Sequence, residues 1–416
     1  MSTGFSSISE ADSSFETLLN NNEELENEDI DLDEENILQE LYFVSVVLKD
    51  KFSWSKNVEI TNKLDELQRF KQKWEENGEY HPRFNFSSFE YDEEKALSIL
   101  DELTAECQKI DKKTLRQYNV KELTVEDLRN LYRGIFEEFK LYVKLSANLS
   151  DRNKWKKSCL KIWPMDEEAV MKSKKELDKI SYNGEEDEKT LEAKDLKMMW
   201  ENELSRLKID YDVEIRDVDG CFNIPEEQTV VVAEGTDTER FYSRKEAEML
   251  TIHELFHVIR AYNGVKIAEK SGFPPILGVH TPFYDETEEG GAIYREFEAG
   301  VITKGKEKDY HLRALAAYYT YQDHKFSDII EKLVHQGARP ERAFALAARN
   351  REILRHHIYM GGYFKDWKEN ESRNDLLSAK VNREWAEKIR EEIEAENSAL
   401  EEPPVNPEQI FEYSFK

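Results

Sequence analysis

Apolar positions recur at helical spacing along most of this chain. Ile37, Leu38, Leu41, Val44 and Leu48 fall on one face, and the same period predicts helices over 58–74, 92–112, 124–148, 166–181 and 190–207. Residues 81–86 read as extended, because Pro82 disfavours helix before it. Trp155 and Trp163 lie in the connection between two of these helices and read as packing residues. At Tyr211 the period changes to two: Tyr211, Val213 and Ile215 alternate with Asp212, Glu214 and Arg216, a half-buried strand. Residues 228–233 (QTVVVA) read as a second strand, and helical patterns return at 243–264, from Asp285, and over 307–321, 327–336, 340–358 and 372–396. The expected fold is mainly α with a small β-sheet.

One stretch organises the rest, SRKEAEMLTIHELFHVIRAYNG from Ser243 to Gly264. Ser243 and Glu246 have the spacing of a capping box, and Asn263-Gly264 reads as a helix stop. Between them His253-Glu254-Leu255-Phe256-His257 is an H-E-x-x-H motif. Its two imidazoles leave one face about 40° apart. They could then bind one zinc ion at about 2.0–2.1 Å, with Glu254 placed as general base toward a metal-bound water. Nine histidines and 88 acidic residues give roughly 0.04 chance matches to this motif in the chain. A helix apolar on most sides is buried in any case, and two buried histidines and a glutamate without partners are costly. Two strands followed by such a helix point to a zincin-like metallopeptidase domain, in which residues 229–232 are a candidate edge strand for an extended peptide. The long loop after Gly264, with Gly272, Pro274, Pro275, Gly278 and Pro282, is a further functional candidate.

Composition adds the setting. The net charge is −29, with 39% hydrophobic and 35% charged residues, which argues against nucleic acid and anionic membranes as partners. Cys107, Cys159 and Cys221 are odd in number and widely spaced, as in a reducing compartment. With no 18-residue apolar run and no signal-peptide pattern, the expected location is cytoplasmic. The expected organisation is a disordered acidic tail over 1–36, a helical N-terminal part over 37–185, the zincin-like catalytic domain over 186–397, and a C-terminal tail over 398–416. The sequence leaves the oligomeric state open.

A catalytic zinc needs a third protein ligand. His280, Asp285, Glu286, Glu288, Glu289, Glu296 and Glu298 are the candidates, and chemistry alone does not choose among them. In YDETEEGGAIYREFEAG, Asp285 or Thr287 could cap a helix, with Glu289 in its first turn. Gly290 and Gly291 there imply a close approach, such as that of the H-E-x-x-H helix. The stretches HPRF, KSCLKIWP, HELFHVIRAYNG, YDETEEGGA and YFKD, in that order over about residues 38–395, resemble the domain-of-unknown-function-1704 (QEGLA-motif) family. The resemblance implies Glu289 as third zinc ligand, zinc dependence, and removal of a C-terminal aromatic, tyrosine-like residue. It departs from the family at three points: three residues rather than four separate the histidines, and Glu288 and Gly291 replace Gln and Leu.

The function these observations favour is a zinc carboxypeptidase acting on a peptide or protein C-terminus. His253, His257 and Glu289 hold zinc, Glu254 is the base, and Tyr284 is a candidate oxyanion donor. Arg295, Arg349, Arg355 and Lys365 are candidate cations for the substrate carboxylate, and the family resemblance favours Arg355 and Lys365, the latter with a surface ion pair as its plainer reading. The ligand assignment expects metal to be lost with Glu289 but not with Glu286 or Glu296. The alternatives are a non-enzymatic zinc-stabilised interaction protein and a zinc hydrolase of a non-peptide amide or ester. Glu254 speaks against the first, since a structural site needs no base.

Overall fold

The computed structural model describes residues 7–20, 30–76, 80–118, 120–181, 188–218, 220–235, 240–269, 272–370, 373–395 and 404–405. The chain is mainly helical with two small sheets, and it divides into two interleaved units. The first comprises Met1–Asp111, Glu126–Ile180 and Lys308–Gly361; the second comprises Lys112–Val125, Ser181–Glu307 and Gly362–Lys416. Compact units built from separated stretches replace the contiguous division at residue 185 that the sequence suggested. Among the described residues no helix is long and apolar enough to cross a membrane.

The first unit is helical. Phe70, Val170, Leu315, Ile329, Leu333 and Phe344 form part of one of its cores. Residues 8–20 correct the expectation of a disordered tail. They form the helix Ile8–Asn20, which buries Ala11, Phe15 and Leu19. These three stand four residues apart, a single apolar stripe that the surrounding serines and acids conceal. Residues 1–6 and 21–29 of the expected tail lie outside the described residues. The expected helix over 58–74 starts later, as Lys63–Glu75, because Ile60 pairs with Phe86 in an isolated bridge. Trp155 belongs to a helix, Arg152–Ile162, that the pattern missed; the Asp151 side chain accepts from the backbone of Asn153 and Lys154 and starts it. The Trp155 indole is buried and donates to the Glu352 carbonyl at 2.9 Å.

The second unit holds the motif. Asp212–Arg216 and Thr229–Ala233 pair in parallel, Val213 opposite Val230, and Phe222–Ile224 pairs antiparallel on the other side. Thr229–Ala233 is therefore the central strand, buried at every residue, and not the edge strand that could hold a peptide. Val230 and Val232 pack with Trp200, Leu255, Val258 and Ile259 into one core. Fully burying such an aliphatic side chain is worth roughly 1.5–3 kcal/mol, so the helix Arg244–Lys266 is held chiefly by this face. Ser243 caps it by accepting from the Glu246 backbone at 3.1 Å.

That helix runs through the expected stop to Lys266. Gly264 has a different purpose: a Cβ there would lie 2.5 Å from the Leu277 carbonyl oxygen and 2.6 Å from Gly278 Cα, so glycine admits the loop segment Ile276–Val279. Asn263 is likewise a tether. Its amide donates to the Leu377 carbonyl at 3.2 Å, and its Oδ1 accepts from the Val405 backbone at 3.3 Å. Val405, in the expected C-terminal tail, is buried in this core, while the rest of 398–416 lies outside the described residues, Pro404 excepted.

Candidate metal centre

Two helices build the site. Arg244–Lys266 carries His253, Glu254 and His257; Asp285–Glu298 carries Glu288, Glu289 and Glu296. Their crossing is close because Gly291 faces the motif helix: a Cβ there would overlap the Phe256 ring and lie 2.6 Å from the Trp367 ring. Gly290 answers to a different neighbour, the backbone at Gly362, where a Cβ would come 2.5 Å from Gly362 Cα. The Tyr363–Lys368 turn thus braces the back of the glutamate helix. Trp367 Nε1 donates to the Thr287 carbonyl at 2.7 Å, and the Thr287 hydroxyl donates to Asp366 at 2.6 Å. Thr287 is therefore a brace and not a cap; Tyr284 takes the N-cap position without capping the helix through its side chain.

His253, His257 and Glu289 come together, each with a ligand atom within 4.8 Å of the others. His253 Nε2 lies 3.8 Å from Glu289 Oε2, and the two imidazoles meet edge to face at 4.9 Å between centroids. The other ring nitrogens are occupied. His253 Nδ1 is 2.7 Å from Glu296 Oε1, and His257 Nδ1 is 2.8 Å from Glu288 Oε1. A carboxylate behind each imidazole fixes its tautomer and turns Nε2 toward the shared space. Seven residues separate Glu289 from Glu296, two helical turns, so one face carries both a candidate ligand and a support.

Glu288 is held by two cations besides His257. Arg260 donates to its Oε2, and Lys380 Nζ lies 3.0 Å from Oε1. Arg260 is fully buried and also donates to the Ala379 and Val381 carbonyls at 2.8 and 2.6 Å. Burial alone would raise the Glu288 pKa; Lys380, Arg260 and the His257 hydrogen bond overcome it and hold the carboxyl far below its usual range. Burial opposes charge on His253, but Glu296 above all, then Glu254 and Glu289, push its pKa up to about 9. Glu254 is buried beside both histidines; burial raises its pKa and the two imidazoles oppose that rise.

The remaining candidates are placed as follows. Tyr284 is largely buried against His280, at 5.3 Å between rings, with Lys380 Nζ 5.4 Å above its ring. Lys365 is mostly exposed, 3.8 Å from Glu286, which matches its plainer reading. Arg355 belongs to the first unit, where its guanidinium lies over Trp54 at 5.1 Å and Tyr359 at 5.6 Å. Sequence reasoning missed Arg260 and Lys380, and it took Glu296 as indifferent to the metal. Arg260 could have been found, since it follows His257 by three residues on the same face. Lys380 carried no local signal.

An H-E-x-x-H helix meeting a third carboxylate from a second helix marks a candidate mononuclear metal centre in a mainly helical protein. A family model described as microtubule-associated tyrosine carboxypeptidase matches residues 68–367, most of the chain, and the protein belongs to that family. No curated protein and no solved structure matches it.

Proposed function

We propose that the protein is a zinc-dependent carboxypeptidase that removes a C-terminal, tyrosine-like residue. One observation carries this reading: His253 and His257 turn their Nε2 atoms toward Glu289 while Glu296 and Glu288 hold the opposite nitrogens. Once a metal displaces the proton from His253, two neutral imidazoles and one carboxylate suit zinc and would leave a coordination position open. When bound, the ion supplies a Lewis acid for carbonyl polarisation.

The chain's own residues supply the rest. Glu254 takes a proton from the attacking water and returns it to the leaving amine. Its burial favours the protonated form, which suits a group that must hold that proton between two steps. Tyr284 donates to the developing oxyanion. Lys365, in the same unit as the three ligands, exchanges its 3.8 Å pairing with Glu286 for the terminal carboxylate. The three cysteines are free thiols, which supports a cytoplasmic location as part of this proposal. Association with microtubules comes with the family description and is proposed on that ground.

The test uses two peptides ending in tyrosine, one with a free and one with an amidated C-terminus. The free peptide should lose its tyrosine and the amide should survive; a chelator should abolish the cleavage and zinc restore it. Equal cleavage of both peptides at an internal bond overturns the carboxypeptidase assignment. Undiminished cleavage by protein shown to be metal-free overturns the metal assignment.

A further inference from the structure

Phe283 has a φ of 53°, a backbone that a bulky side chain rarely adopts. Among the described residues four non-glycine positions have positive φ: Lys208, Gln228, Phe283 and Asp323. Lys208 and Gln228 end helices, where that conformation closes the last turn. Phe283 closes no helix. It precedes Tyr284, the N-cap of Asp285–Glu298, and glycine would take its φ without steric cost. The surrounding structure sustains the strain. Thr281 donates to the Lys380 carbonyl at 2.7 Å, Asn382 donates to the Pro282 carbonyl at 3.1 Å, and the Lys380 backbone donates to the Leu277 carbonyl at 2.9 Å. Strain held in this way clusters at ligand clamps. The Phe283 ring is 38% exposed, whereas the adjacent Tyr284 is buried against His280.

We infer that Phe283 is a specificity-determining residue whose ring forms one wall of the pocket for the aromatic side chain of the terminal residue, an inference that rests on the carboxypeptidase reading. The segment that holds Phe283 leads into the glutamate helix, and Glu289 stands one turn inside it. Glu286, in that first turn, is the present partner of Lys365, the cation assigned to the terminal carboxylate. A C-terminal tyrosine offers two handles, its carboxylate and its ring. Residues of one short segment would then meet both. Aromatic rings gain from offset or edge-to-face contact beyond the area they bury, so the wall favours an aromatic terminus over an aliphatic one. An alanine terminus would leave the Phe283 ring in water.

The test reads preference for the terminal residue. Peptides that differ only in a terminal tyrosine, leucine or alanine are compared for kcat/KM. Free L-tyrosine and L-alanine, which contain no bond to cleave, are compared for binding by calorimetry with the full chain. In Phe283→Gly the tyrosine-over-alanine ratio should fall at least about tenfold in both assays. Phe283→Leu, the second variant should glycine disturb folding, should lower the tyrosine-over-leucine ratio, and Phe283→Tyr should keep it. Phe241→Gly removes an equally exposed ring, at 38%, from a backbone without positive φ, and should leave every ratio within about twofold. Phe283→Gly should also unfold at no lower a urea midpoint than Phe241→Gly, because glycine relieves the strain. Preference for free tyrosine without any cleavage would sink the carboxypeptidase reading and keep this inference. Cleavage with ratios unchanged in Phe283→Gly and Phe283→Leu would keep that reading and overturn this one. Equal loss of preference in Phe241→Gly overturns it too.

Discussion

Gly290 and Gly362 cross so closely that a methyl group on Gly290 would sit 2.5 Å from Gly362 Cα. The neighbour is backbone and has no rotamer with which to yield. Gly290→Ala should therefore lower stability by about 1–3 kcal/mol, the usual cost of overpacking, and weaken metal binding by shifting Glu289. Gly220, with nothing within 4 Å of a Cβ, is the comparison: Gly220→Ala should be nearly neutral. Denaturant unfolding of both variants checks this, and equal midpoints would mean that the crossing relaxes.

Glu254→Gln should keep fold and metal content but reduce hydrolysis by at least about a hundredfold, because general-base help is worth roughly 10²–10⁴. Wild-type turnover in this variant would remove Glu254 from the mechanism.

Metal titrations separate ligands from supports. His253→Ala and His257→Ala should each lose zinc, and Glu289→Ala should weaken it strongly. Glu288→Gln and Glu296→Gln should cost about 10–100-fold in affinity, the usual effect of removing a partner behind a metal-bound histidine. Glu286→Ala should bind normally. Normal affinity in Glu296→Gln would show that the contact with His253 does not tune the ligand.

Acid stability should depend on His357, which is buried with Nε2 3.2 and 3.1 Å from the Trp163 and Pro164 carbonyls. Burial carries its pKa from 6.5 down to about 4, against the pull of those carbonyls and Asp166. The folded protein thus prefers the neutral ring. The full contribution is present above pH 6.5; below it the unfolded chain takes up the proton first, and stability falls until about pH 4. The loss is up to about 3 kcal/mol. In His357→Gln the stability profile between these limits should be flatter, and an unchanged slope would assign the acid sensitivity to other groups.

Most helices, the central parts of two strands and the two motif histidines were legible because each rests on local spacing, whereas Glu289 was singled out only by the family resemblance. His253 and His257 share a face by helical period alone. What was not legible rests on contacts far apart in sequence. Gly264 reads as a stop until the loop bearing Leu277 and Gly278 is seen against it. Thr229–Ala233 reads as a possible edge because a three-residue strand, Phe222–Ile224, gives too little alternation to announce a partner on its far side. Lys380 reaches Glu288 from 92 positions away, too far for any pattern of spacing to show.

The interleaved units also set an order of events during synthesis. Both histidines and Glu289 leave the ribosome well before Gly362, Trp367 and Lys380, with 308–361, a stretch of the other unit, made in between. At about 5–20 residues per second this delay lasts several seconds. For that interval the nascent chain carries all three candidate ligands without the turn that braces their helix or the cation that neutralises Glu288. On the proposed metal reading, an ion captured in that interval would meet ligands whose helix is not yet braced.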